Sequence, residues 1–257
     1  MSSELHSPEE GQTIPESGTP QWVTVKAPGL KPWVTYSFMG VTIALFLLQM
    51  LTQTIFGRDL VAFWGAKVNV YILNGQFWRL FTPMLLHGSI MHIGFNMYAL
   101  YIFGPGLERY YGHVRFFALY VLSGFAGNVL SMVFTPATSL GSSTAIFGLL
   151  AAQGVFFYQN QRLFGKNAQR ALSQIAVIAV INFLIGLSPA IDNWGHLGGF
   201  IGGLSFSWMA GPKLQVTGDY PPFGLEDRRT GGEVMRATIF TGAFLVMLVA
   251  IVLLLNA

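Results

Sequence analysis

The chain of 257 residues carries 14 Lys and Arg and 11 Asp and Glu, so charged side chains are only 10% of the whole, against roughly 25% in a soluble globular protein. The mean hydropathy is +0.53, and no charge falls in 32–57, 80–107, 116–161, 171–191, 193–212 or 237–257. A bilayer-spanning helix needs about 20 mostly apolar residues, so these windows describe an all-α polytopic membrane protein and exclude a soluble enzyme, a nucleic-acid-binding domain and a disordered chain.

In chain order, residues 1–33 are polar, rich in Pro, Gly and Ser, and more acidic than basic. They resemble neither a signal peptide nor an Arg-rich transit peptide and are expected to form a disordered cytoplasmic tail. A first span covers about 34–55. The connection from Phe56 to Leu86 is too apolar for a solvated loop and too interrupted for a span. It is expected to lie in the outer leaflet, with Trp64, Tyr71 and Trp78 at the interface. Spans two, three and four cover 87–104, 114–134 and 142–160. Pro136 in Thr135-Pro136-Ala137-Thr138 breaks the third from the fourth. Spans five and six cover 170–188 and 192–210. A polar linker, 211–235, precedes a seventh span over 236–256, which runs on to the last residue, 257. The layout is a six-span core over 34–210 plus one helix.

Loop charges orient the chain. Lys26, Lys31, Arg109, Arg115, Arg162, Lys166, Arg170, Lys213, Arg228, Arg229 and Arg236 fall on one side, against Arg58, Lys67 and Arg79 on the other. The positive-inside rule puts the N-terminus in the cytoplasm and the C-terminus outside. The pI near 9.2 then reflects cytoplasmic loop charge and not a nucleic-acid partner. With no cysteine in the chain, disulfides, zinc–thiolate sites and cysteine nucleophiles are excluded.

Polar residues inside spans are costly and mark function. Spans two, four and six all enter from the outer side. At a rise of 1.5 Å per residue, His92 and Asn96, Ser143, and His196 all lie within about 15 Å of that surface. His92 and Asn96, four apart, share a helix face. His87 stands at the water boundary, as an interfacial residue or a contact on the substrate side. Gly198/Gly202 and Gly199/Gly203 form two small-xxx-small pairs around His196, which allow close approach by another helix. These residues suit one reaction. Ser143 is the candidate nucleophile and His196 its general base. His92, Asn96 and the Ser143 backbone N–H are candidate oxyanion donors. Asp192 is the only acid nearby and sits at the membrane boundary, so a Ser–His dyad is the simpler expectation. Position 145 is Ala, which argues against the Gly-x-Ser-x-Gly elbow of α/β-hydrolases.

Five motifs in order carry a family resemblance: Trp78-Arg79; His87 with His92-Ile93-Gly94-Phe95-Asn96; Gly104-Pro105-Gly106-Leu107-Glu108; Gly141-Ser142-Ser143-Thr144; and His196-Leu197-Gly198-Gly199-Phe200-Ile201-Gly202-Gly203. Over 34–210 the sequence resembles the rhomboid family of intramembrane serine proteases. The resemblance implies a six-helix core and cleavage of transmembrane substrates by a Ser143/His196 dyad. It also implies an outward-opening cavity beside a mobile fifth span, and Phe147 packed on the catalytic His. It calls for no metal or other cofactor, and for membrane proteins and lipids as partners in a plasma membrane. Two positions depart from the common pattern: Thr144 where many members have Gly, and Gly195 where many have Ala. The alternative function is a catalytically inactive rhomboid-like protein that binds membrane clients. A transporter is disfavoured by the lack of an internal repeat, and a metal site of His87, His92 and His196 by the lack of any Asp or Glu within spans two or four and by the different helix faces of His87 and His92.

Overall fold

A computed structural model describes residues 28–188, 191–218 and 223–256. Most of the predicted tail, residues 1–27, lies outside the described residues. The protein is an all-α, multi-pass membrane protein, and every predicted span falls on a long helix: α1 (Trp33–Phe56), α4 (Ile90–Tyr111), α5 (His113–Phe134), α6 (Ser143–Gln159), α8 (Lys166–Ile185), α9 (Asn193–Ala210) and α10 (Gly231–Leu255). Short helices α2 (Leu60–Gly65), α3 (Asn69–Leu73) and α7 (Gln161–Phe164) fill the connections. By length and hydropathy α1, α5, α8 and α10 could each cross a bilayer alone. The helices α4, α6 and α9 are interrupted by His, Asn, Ser and Gly.

Local chemistry explains most boundaries. Gly57 (φ 68°) stops α1 in the left-handed conformation that glycine tolerates best. Asp59 caps α2 through the N–H of Ala62, and Ser89 caps α4 through that of His92. The N-terminus of α1 has no local side-chain cap. Its amides are met by buried Glu108, which accepts from the N–H groups of Val34 (2.8 Å) and Thr35 (2.7 Å) and from Thr35 Oγ1 (2.6 Å). A carboxylate there also faces the positive end of the helix dipole.

The centre of the bundle is α5, α6 and α9. The apolar window of α5 is 67% buried, against 6% for α8, so α8 lies at the rim. The two glycine pairs of α9 serve two different neighbours. A Cβ on Gly198 would stand 2.7 Å from the Ala126 carbonyl oxygen of α5, and one on Gly199 would overlap the Thr144 carbonyl of α6. Two helices thus approach α9 at backbone distance, which only a missing side chain permits.

The connection between α1 and α4 is a folded element. Buried Arg79 donates to the carbonyls of Phe63 and Ala66 and to Gln76 Oε1, each at 2.8 Å, and Trp78 Nε1 donates to Trp64 O. Lys67, counted in the sequence as an ordinary loop charge, is fully buried. Its ammonium donates to the carbonyls of Ser131 (3.3 Å), Thr135 (2.5 Å) and Ala137 (3.0 Å) at the end of α5. Burial pushes its pKa down to about 8, and the charge of Asp192 offsets part of that fall.

The expected linker is also structured. Strands β1 (Leu214–Thr217) and β2 (Gly224–Asp227) pair antiparallel. Asn160 grips this hairpin through Pro212 O and Leu214 N, and Arg115 through Asp227 (2.7 Å). Residues 219–222 of the linker lie outside the described residues. Helix α10 begins at Gly231 and not at 236, because Thr230 and Glu233 form a reciprocal capping box.

Candidate active site

Ser143 opens α6, and the residues before it set its position. Gly141 has φ 137° and donates its N–H to Pro83 O. A Cβ there would also press against the His92 ring at 2.7 Å, so no other residue type suits the turn. Ser142 points away from the cavity. Its hydroxyl lies 3.2 Å from His87 Nε2, and its N–H donates to the same nitrogen at 3.4 Å. His87 is therefore not at the water boundary. It is buried, and its backbone N–H and C=O are both held by the side-chain amide of Gln49. Burial and the neighbouring His92 push its pKa down to about 3. The neutral ring can then accept the bonds from Ser142, and His87 braces the turn before Ser143 from behind.

Ser143 Oγ lies 2.9 Å from His196 Nε2. The imidazole stacks on Phe147, with ring centroids 4.3 Å apart and planes 14° from parallel. Its other nitrogen, Nδ1, is buried and meets no hydrogen-bond partner among the described residues. Packing, and not a carboxylate, orients the ring.

Asp192 caps α9 instead. It accepts from the N–H of Gly195 (2.9 Å), from Thr135 Oγ1 (3.1 Å) and from Ser131 Oγ. Burial would raise its pKa, but these hydrogen bonds and the Lys67 charge outweigh it and hold the carboxyl below the usual range. Lys67 and Asp192 thus grip the same stretch, Ser131 to Ala137, from two sides. Sequence reasoning missed this pairing, although a lone Lys in the apolar run 60–73 was a signal.

A cavity of about 590 Å³ joins these parts. Ser143, His196, His92, Asn96 and Phe147 line it, with Gly141, Thr144, Asp192 and Asn182 of α8. His87 and Gly199 stand outside it, one behind Ser142 and the other in the seam between α6 and α9. His92 packs edge-on against His87 at 4.9 Å. Asn96 donates its amide to His92 O at 3.0 Å, so that amide is turned along its own helix. The Ser143 N–H belongs to the first turn of α6, where amides have no intrahelical acceptor. The two departures from the common pattern touch each other: a Cβ on Gly195 would stand 3.2 Å from Thr144 Cγ2. The same Cβ would stand 3.1 Å from the Asp192 carboxylate, and Thr144 packs more tightly still over Gly127 of α5, where a Cβ would stand 2.6 Å from its own.

Comparison with known proteins agrees with this architecture. The Rhomboid domain family model matches residues 74–213, more than half of the chain. The chain is 39% identical over 190 residues to Rhomboid protease GluP of Bacillus subtilis (strain 168), covering 73% of this chain and 37% of that protein. It is 36% identical over 154 residues to RHOMBOID-like protein 9, chloroplastic, of Arabidopsis thaliana, covering 60% and 36%. RHOMBOID-like protein 1 of the same plant is 38% identical over 149 residues, covering 57% and 38%. The chain thus spans well under half the length of these curated relatives. A family match that runs from the structured loop before α4 to the end of α9, and so takes in the helices around the cavity, makes this chain a member of the rhomboid family.

Proposed function

We propose that the protein is an intramembrane serine endopeptidase that cleaves transmembrane segments of membrane proteins. The observation that carries this reading is the 2.9 Å approach of Ser143 Oγ to His196 Nε2 inside a polar cavity walled by apolar helices. Membership of a family with a relative named as a protease supports it.

In the proposed reaction Ser143 Oγ attacks the scissile carbonyl and its proton passes to His196 Nε2. The oxyanion that forms is met by the Ser143 N–H, with His92 and Asn96 at the cavity wall as further donors. Asn96 would have to turn its amide from His92 O toward the substrate. Collapse expels the amine, which takes the proton from His196 and leaves an acyl-enzyme. Water, deprotonated by His196, then releases the acid and restores Ser143. The dyad operates without a third carboxylate, because Phe147 already fixes the imidazole plane. The thin packing of α8, whose Asn182 lines the cavity, supports entry of substrate from that side. Loop charges favour a cytoplasmic N-terminus and a cavity that opens to the outside of a plasma membrane, with 34–210 as the catalytic core and the last helix as an addition to it.

The test is incubation of purified protein with a single-span substrate, beside Ser143→Ala and His196→Ala. Cleavage by the wild type alone, with a fluorophosphonate probe labelling Ser143, is expected. Cleavage by Ser143→Ala would refute the assignment. A folded wild type that binds substrates but neither cleaves them nor labels would favour a client-binding role.

A further inference from the structure

A second cavity, of about 740 Å³, lies at the opposite end of the bundle from Ser143, between the ends of α6 and α9 and the start of α10. It has two tiers. The outer rim carries Lys213, Arg229 and Arg236, with Glu233 as the acid beside them. The inner wall is Trp208, Tyr158 and Phe240, which are 54%, 51% and 63% exposed. Trp208 and Tyr158 stack at 5.8 Å. These rings sit on spanning helices one to three turns from the polar hairpin, at the depth where a bilayer changes from headgroup to acyl chain.

The charges on the rim are unequally committed. Glu233 is tied into the α10 cap by the Thr230 N–H (2.8 Å) and hydroxyl (3.0 Å). Arg229 donates to the carbonyls of Trp208 (2.8 Å) and Gly211 (3.3 Å) and lies 3.6 Å from Glu233. Among the described residues, the side chains of Lys213 and Arg236 make no hydrogen bond or ion pair. Gln159 adds a buried Oε1 at the cavity wall that also lacks a donor among the described residues. The cavity therefore offers two cations for an anion, one acceptor for a hydroxyl, and an aromatic wall at acyl-chain depth.

We infer that this cavity binds an anionic phospholipid whose headgroup carries a hydroxyl, the phosphate between Lys213 and Arg236 and an acyl chain along Trp208 and Phe240. A soluble phosphate ester would satisfy the rim but leave the aromatic wall unused, and a zwitterionic lipid would leave the rim with excess positive charge. The lipid fastens α10 to the core, since the rim residues come from both. This site stands independently of the proteolytic reading.

The experiment uses the full chain, delipidated in a neutral detergent. Phosphatidylglycerol, phosphatidylcholine or glycerol 3-phosphate is then added, with native mass spectrometry for retained lipid and thermal unfolding for stabilisation. Phosphatidylglycerol alone should be retained and should raise Tm. Each of Lys213→Gln and Arg236→Gln should weaken its binding about fivefold, and the pair about thirtyfold. Phe240→Ala should weaken it without changing the charge. Equal retention of phosphatidylcholine, equal stabilisation by glycerol 3-phosphate, or undiminished binding in the folded double variant would overturn the inference.

Discussion

Replacing Gly199 by alanine separates the positions of α6 and α9 from the chemistry of the proposed Ser143/His196 dyad. The new Cβ would overlap the Thr144 carbonyl oxygen and stand 2.7 Å from the carbonyl carbon, about 1 Å inside normal carbon–carbon contact. Both are backbone atoms, so no rotamer change relieves the clash, and the helices must part by about that amount. His196 lies one turn before Gly199 on α9, and Ser143 is the neighbour of Thr144. The displacement therefore falls on the 2.9 Å Ser143–His196 hydrogen bond and stretches it to about 4 Å, beyond hydrogen-bonding range. A 1 Å misplacement costs about 10²-fold in rate, and overpacking about 1–3 kcal/mol in stability. Initial rates on a single-span substrate should fall by about that factor, with slower fluorophosphonate labelling of Ser143. Two comparisons isolate the cause. Gly40→Ala meets nothing within 4 Å and should change neither property. Gly202→Ala presses on the Ala126 methyl of α5 at 2.5 Å and should lose stability with a smaller loss of rate. Wild-type turnover in Gly199→Ala would refute the link between this seam and the dyad.

Three further outcomes are expected. Gly195→Ala should destabilise the protein by about 1 kcal/mol, and adding Thr144→Gly should recover part of that beyond additivity; a coupling below about 0.5 kcal/mol in a denaturation cycle would show that the two positions are independent. His87 has its pKa pushed to about 3 from an ordinary 6.5, so as pH falls through that window the unfolded chain takes up a proton that the folded one refuses. Stability should drop by at most about 1.4 kcal/mol per pH unit, and His87→Gln should flatten the slope; an unchanged acid profile would mean that the ring charges in place. Lys67 is the opposite case in alkali: its folded pKa of about 8 lies below the ordinary 10.5, so between these values the unfolded chain holds the extra proton and this group makes stability rise with pH. Lys67→Met should abolish that rise and, by orphaning three carbonyls, cost about 1–3 kcal/mol at pH 7; a wild-type profile in the variant would remove Lys67 from the brace on 131–137.

The spans were legible because a charge-free window of bilayer length is a local property of sequence. Ser143, His92, Asn96 and His196 were legible because their helices enter from one side and the count along each helix fixes depth. The partners of polar groups were not, since they depend on which distant backbone arrives. Glu108 caps the distant α1, and Arg115, close to it in sequence, pairs instead with the hairpin. His87 looked interfacial because its neighbours in sequence are mixed, yet Gln49 and Ser142 seal it from both sides. The early start of α10 was readable in principle, from Thr and Glu three apart before an apolar run, but the glycines between them read as linker.

The cap on α1 has a consequence for biogenesis. Thr35 and Glu108 are 73 residues apart, so at a synthesis rate of roughly 5–20 residues per second the first helix waits about 4–15 s for its acceptor. During that interval its leading amides lack their acceptor, and the Gln49 contacts to Asp59 and His87 hold only the other end of the helix. The leading end of α1 is thus locked in place only after α4 has followed it, and a nascent chain stalled before residue 108 would leave that end free to tilt or be captured by insertion factors.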